Sequence, residues 1–156
     1  MSFVARLRTA DRGRLIATAI ATLLAFNALG LVVSLIEKAP KEFGGVGDPD
    51  NVLGEFPTQG TLFAAPLAPL LVLILGLWLR GRGRWLAVLG LLAVIVVGVL
   101  FVVGTLGEPW QPQASDPPLA LLIVWRSVGI ALSVSLVGLA GADLYGKVRM
   151  AGAVAA

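Results

Sequence analysis

The residue with the clearest chemical potential is an arginine inside an apolar run. Arg126 lies within residues 119–142, which are otherwise mostly Leu, Ile, Val, Ala and Gly. A guanidinium at membrane depth is costly unless it faces water, snorkels to the interface or finds partners. It also presents several N–H donors in a planar fork that suits anions. Arg126 therefore indicates either a site for an anion or polar headgroup inside a helix bundle, or a side chain that reaches lipid phosphate and has no further role.

Asn27 is a second polar residue in a similar position, within the apolar run 15–36. Two helical faces carry the same pattern of a polar residue, a glycine and a serine: Asn27, Gly30 and Ser34, and Arg126, Gly129 and Ser133. Lipid-facing stripes are usually Leu, Ile and Val, so we interpret both faces as interior. We expect the ligand-binding residues to be Arg126, Asn27, Ser133 and Ser34, with Glu55, Glu108, Asp116, another subunit or an anionic ligand neutralising the guanidinium.

Several kinds of chemistry are excluded by composition. The chain has no Cys and no His, which removes disulfides, thiol chemistry, the usual zinc sites and an imidazole base. The apolar runs offer hydroxyls but no carboxylate or lysine, so we expect no enzymatic activity and no cofactor. Asp48, Asp50 and Glu55 lack the spacing of an EF-hand, and we expect an ordinary solvated acidic loop without metal.

The elements that position these residues follow from hydropathy. Of the 156 residues 58% are hydrophobic and 13% are charged, more apolar than a soluble core of this size requires. We predict an all-α polytopic membrane protein with one domain of four transmembrane helices, arranged as two helical hairpins. The predicted spans lie at about 15–36, 62–79, 85–104 and 119–142. Pro66 and Pro69 predict a kink or a broken outer turn in the second span.

The orientation is predicted from charge. Arg80, Arg82 and Arg84 fill the inner loop 80–84, and such residues are retained on the cytoplasmic side. The outer loops, 37–61 and 105–118, are net acidic, so both termini and the short tail 143–156 are predicted to be cytoplasmic. We expect a multi-pass protein of the cell membrane, or inner membrane. The net charge of +3 does not indicate nucleic-acid binding, because most arginines lie at membrane ends.

Small residues predict where helices approach closely. The candidate packing positions are small residues on the first, third and fourth spans: Ala17, Ala21, Ala25, Gly90, Ala93, Gly104 and Gly129. We interpret the chain as a small membrane interaction protein, a homo-oligomer or an accessory subunit of a larger complex, with lipids and membrane subunits as partners. The alternative is a small transporter, channel or ligand-binding subunit with an anion or headgroup site at Arg126 and Asn27.

Overall fold

The computed structural model describes residues 3–39, 47–107 and 118–155. The secondary-structure elements within these ranges are all α-helices, as the sequence predicted. The helices within these ranges are α1 (Phe3–Ile36), α2 (Val52–Gln59), α3 (Leu67–Arg80), α4 (Arg84–Gly107) and α5 (Leu119–Ala155).

Three of the described helices are long and apolar enough to cross a membrane: α4, and the stretches Asp11–Ile36 of α1 and Leu119–Arg149 of α5. The 24 residues of α4 extend about 36 Å, against about 30 Å for the hydrocarbon core of a bilayer. Large apolar side chains on their outer faces are exposed, for example Leu100 and Val124. Such surfaces suit lipid rather than water, so the fold indicates a membrane protein.

The second apolar run begins its helix later than predicted. Residues 60–66 are not helical, and α3 starts at Leu67 instead of residue 62. Pro66 precedes the helix in an extended conformation (ψ 158°), and Pro69 lies in the first turn, where a missing N–H breaks no helical hydrogen bond. We call residues 60–66 the docked segment.

Two other boundaries differ from the prediction. The predicted outer loop 37–61 contains the short helix α2, and the predicted tail 143–156 continues α5 to Ala155. The tail holds Ala, Met, Lys and Arg, which are strong helix formers, and it contains no proline to end the helix. The short turn between α3 and α4 falls at the predicted position.

The helices form a bundle in which α4 packs along both α3 and α5. Helix α1 packs mainly against α5 and touches α3 little. The core consists of apolar side chains from all four of these helices, including Ile16, Ile20, Leu23, Leu73, Leu91, Val94, Leu136 and Ala140. We call the end with Arg12, Arg80, Arg82 and Arg84 the basic end, and the end with α2 and the docked segment the far end.

Helices α3 and α4 are in backbone contact near the basic end. Gly76 and Gly90 are both buried, and a Cβ on Gly90 would collide with the carbonyl oxygen of Gly76. This close approach follows from the absence of side chains at both positions. The predicted packing role of Gly90 therefore has a specific partner in the fold.

Candidate functional site

The docked segment is held against α1 by the amide of Asn27. The Asn27 Oδ1 accepts the Ala65 N–H at 2.8 Å, while its Nδ2 donates to the Leu23 carbonyl at 2.8 Å. Ala65 precedes Pro66 outside the helix, so its N–H has no helical acceptor. A buried backbone N–H outside a helix needs such a partner, and buried Asn27 supplies one.

Ser34 anchors the other end of the docked segment. Its hydroxyl donates to Thr61 Oγ1 at 2.7 Å, and the same oxygen accepts the Ala64 N–H at 3.0 Å. The Thr61 N–H in turn donates to the Ala64 carbonyl at 2.7 Å. Ser34 is fully buried.

Gly30 and Trp125 complete the seat of the docked segment. A Cβ on Gly30 would collide with the Phe63 carbonyl, and Trp125 Nε1 donates to that carbonyl at 2.9 Å. The Trp125 ring also stacks on Phe26, with centroids 4.2 Å apart, and meets the edge of Phe63 at 5.5 Å. Sequence reasoning missed Trp125, although its position beside Arg126 was a signal.

A cavity of about 250 Å³ lies behind the docked segment, between α1, α4 and α5. Its polar lining within the described residues includes Arg126, Asn27, Ser133 and Thr61. Its remaining walls are mainly apolar and aromatic, with Phe26, Phe63, Phe101, Trp125, Pro66 and Pro69 among them. Three of the four residues expected to bind a ligand thus line one cavity, and Ser34 does not.

Arg126 faces the interior of the bundle rather than lipid, with a side chain only 5% exposed. The Asn27 Oδ1, in the same lining, accepts the Ala65 N–H. Among the expected acidic partners, Glu55 binds the Asp48 N–H at 3.2 Å, and Glu108 and Asp116 lie outside the described residues. Arg126 is thus a buried guanidinium in the lining of a cavity whose other walls are mainly apolar and aromatic.

The remaining packing candidates are divided between the interior and the outer surface. Gly104 and Gly129 line the cavity, with Gly129 packed beside Phe26. Ala17 and Ala93 are half-buried. Ala21 and Ala25 are exposed, so this part of the α1 stripe makes no use of its small size within the described bundle.

A second polar cluster lies at the basic end and was not predicted. Arg80 Nε contacts Asp143 Oδ2 at 2.8 Å, joining α3 to α5, and Arg12 Nη1 donates to the Ala142 carbonyl at 3.1 Å. Arg80 was assigned to topology alone and Asp143 to the short cytoplasmic tail. The signal was periodicity, because Asp143 follows Leu136 and Ala140 on the buried face of α5.

The other predicted topology residues, Arg82 and Arg84, are exposed. The Arg82 guanidinium lies 4.0 Å from the Trp78 ring centroid, a cation–π contact at the surface.

The acidic residues of the far end are engaged with one another and with Lys38. Lys38 Nζ contacts Asp50 Oδ1 at 2.9 Å, and this hydrogen bond, together with the charge of Asp50, raises the pKa of Lys38. Asp48 Oδ1 accepts the Asp50 N–H at 2.9 Å. Within the described ranges no group of three or more acidic residues is arranged to hold a metal ion.

No family model, curated protein or solved structure matches the chain. The chemistry of the site must therefore be argued from its own residues.

Proposed function

We propose that this protein is a small multi-pass protein of the cell membrane that binds an anionic or polar headgroup in the cavity. The observation that carries this proposal is the buried Arg126, which lines a 250 Å³ space together with Asn27 and Ser133. Concave sites with apolar walls and a few polar groups are typical of small-ligand binding. A guanidinium shielded from water offers an anion short, charge-assisted hydrogen bonds.

The proposal includes four membrane crossings with both termini in the cytoplasm. Helix α3 has 14 residues, or about 21 Å, which is short of a full crossing by itself. The docked segment extends it. Asn27 accepts a hydrogen bond that its non-helical backbone needs at membrane depth, and Ser34 holds it through the hydroxyl of Thr61. The arginines of the basic end support a cytoplasmic location for that end.

The orientation can be tested with single cysteines, since the chain has none of its own. Gly83→Cys lies in the exposed turn at the basic end, and Gln59→Cys is exposed at the far end. A membrane-impermeant maleimide should label Gln59→Cys in intact cells, and Gly83→Cys only after permeabilisation. The reverse pattern would refute the orientation.

The binding function can be tested with Arg126→Ala in purified protein. Hydrogen bonds to a charged group contribute about 1.5–3 kcal/mol, so the affinity for an anionic lipid should fall about 10- to 100-fold. Arg126→Lys, which keeps the charge and loses the fork, should bind with intermediate affinity and guards against misfolding of the alanine variant. Arg82→Ala, at the exposed basic end, is the matched control. Unchanged affinity in Arg126→Ala would exclude the proposed site.

A second function, assembly with itself or with another membrane subunit, is supported by the exposed Ala21 and Ala25. Small residues on the side of α1 away from the core would let a neighbouring helix approach closely. Ala21→Cys should then form cross-linked species in native membranes, whereas Val96→Cys on the exposed face of α4 should not. A strictly monomeric Ala21→Cys protein without a cross-linked partner would contradict this function.

A further inference from the structure

Helices α3 and α4 are in backbone contact near the basic end, and nearer the far end both helices contribute residues to the cavity. Gly76 and Gly90 bring the backbones together in the basic half. Further along the same helices, Pro69 of α3 and Leu100 and Gly104 of α4 line the cavity. No described atom lies within 4 Å of the position that a Cβ on Gly104 would take. Leu100 is also 58% exposed, so this part of the cavity wall reaches the outer surface of the bundle. We call the strip between Pro69 on one side and Leu100 and Gly104 on the other the slot.

The size of the cavity limits what can enter it. Pockets that bury most of a drug-sized ligand have volumes of roughly 300–1,000 Å³, so a cavity of about 250 Å³ accepts only a small group. The rest of a larger ligand would have to lie outside. Leu100, at the edge of the slot, is 58% exposed, so the surface immediately outside is apolar there. That division suits an amphiphile whose head is inside and whose tails are in the bilayer.

The polar lining selects the head. Arg126 favours a phosphate, because a guanidinium fork matches two phosphate oxygens at once. Thr105 and Ser133 line the same space and carry hydroxyls that can donate to further oxygens. A choline group would bring a second cation close to Arg126 and would also need more room.

We propose that the occupant is an anionic phospholipid with a small headgroup, which enters from the bilayer through the slot and leaves its acyl tails outside along Leu100. This inference rests on the proposed function and adds the ligand class and the route of entry. It differs from binding of free phosphate from water, which would need Arg126 but not the slot.

The experiment fills the slot without touching the arginine. Gly104→Leu places a side chain in the open space beside Gly104. Gly138→Leu is its matched control, because no described atom lies within 4 Å of the Cβ position at Gly138 either. Gly138 is exposed and does not line the cavity. Each protein is reconstituted in phosphatidylcholine nanodiscs containing a minor fraction of phosphatidate, and the bound lipid is identified by native mass spectrometry. Inorganic phosphate is titrated separately, with tryptophan fluorescence as the readout.

The parent protein should retain phosphatidate over phosphatidylcholine. Gly104→Leu should lower phosphatidate affinity at least about tenfold, a change of roughly 1.4 kcal/mol, while its phosphate titration matches that of the parent. Gly138→Leu should behave as the parent in both measurements. Leu100→Trp, a second obstruction at the edge of the slot, should reproduce the loss and guards against a folding defect in Gly104→Leu.

Three outcomes would overturn the inference: undiminished phosphatidate binding in both slot variants, equal loss of lipid and free phosphate in Gly104→Leu, or no preference over phosphatidylcholine in the parent. Arg126→Ala shows whether the route through the slot or the proposed binding site itself is wrong. If Arg126→Ala loses phosphatidate and the slot variants do not, only the route is wrong. If Arg126→Ala retains phosphatidate and phosphate, the proposed site itself is wrong.

Discussion

The ion pair between Arg80 and Asp143 permits a quantitative prediction because its partners are buried to different extents. The two groups are 2.8 Å apart, and their side chains are 16% and 1% exposed. Removing one member of a buried pair costs about 3–5 kcal/mol, mainly because the other charge is left uncompensated in a poorly solvated place. The cost therefore depends on which charge remains and on whether that charge can reach water.

Removal of the arginine leaves the fully buried carboxylate behind. Arg80→Met, which keeps an apolar chain of similar length, should destabilise the protein by about 3–5 kcal/mol. Removal of the carboxylate by Asp143→Asn leaves a guanidinium at the edge of the bundle, and this group can extend toward the interface. Its cost should lie between those of exposed and buried pairs, at about 1–3 kcal/mol. The double variant should be more stable than Arg80→Met alone.

The free energy of unfolding should be measured by denaturant titration in mixed micelles, with helical circular dichroism as the readout. Arg82→Met serves as the control, because its exposed guanidinium touches only the Trp78 ring among the contacts described above and should contribute about 0.5–1 kcal/mol. The reasoning is refuted if Asp143→Asn costs as much as Arg80→Met, or if the double variant is less stable than Arg80→Met.

Other predictions concern the packing and the far end. Gly90→Val should cost about 1–3 kcal/mol of stability through overpacking of the α3–α4 contact, measured by the same titration. Asn27→Leu leaves an N–H of the docked segment unsatisfied and should cost about 1–3 kcal/mol, with faster hydrogen exchange confined to residues 60–66. Trp125→Phe removes the indole donor to the same segment and should cost about 0.5–1.5 kcal/mol. Because Asp50 raises the pKa of Lys38, the small contribution of that exposed pair should be complete below the pKa of an unfolded lysine. This contribution to the free energy of unfolding should be lost as the pH rises through the higher pKa of Lys38 in the folded protein. Lys38→Met should abolish this part of the pH dependence of stability.

The helical class could be predicted because hydropathy and breaker residues act locally. The long helices and the turn 80–84 follow from apolar runs interrupted by charge. The docked segment could not be predicted in the same way. Pro66 indicated a break, but the backbone conformation on the N-terminal side of that break depends on an acceptor in Asn27, 38 positions earlier in the chain. Helix α2 was missed because the glycines and prolines around it are typical of loops.

Part of the site was predictable from helical periodicity. Arg126 and Ser133 are seven residues apart, about two helical turns, and therefore lie on the same face of α5. They line one cavity because this face points into the bundle. The pair between Arg80 and Asp143 was hidden, since its members lie 63 positions apart and on opposite sides of two apolar runs. A span predicted from hydropathy ends at the first charged residue, so Arg80 was assigned to the inner loop and Asp143 to the tail.

The hydrogen bonds also show which polar residues hold the docked segment, one wall of the cavity, in place. These residues differ in role from those that would contact a bound ligand. Asn27 and Ser34 were expected to bind ligand, yet their side chains hold the docked segment at Ala65 and Thr61. The polar side chains that α5 brings to the cavity are those of Arg126 and Ser133. Ser133→Ala should consequently weaken headgroup binding without changing hydrogen exchange in residues 60–66. Asn27→Leu should alter both together, because it changes the wall rather than the contacts of the ligand.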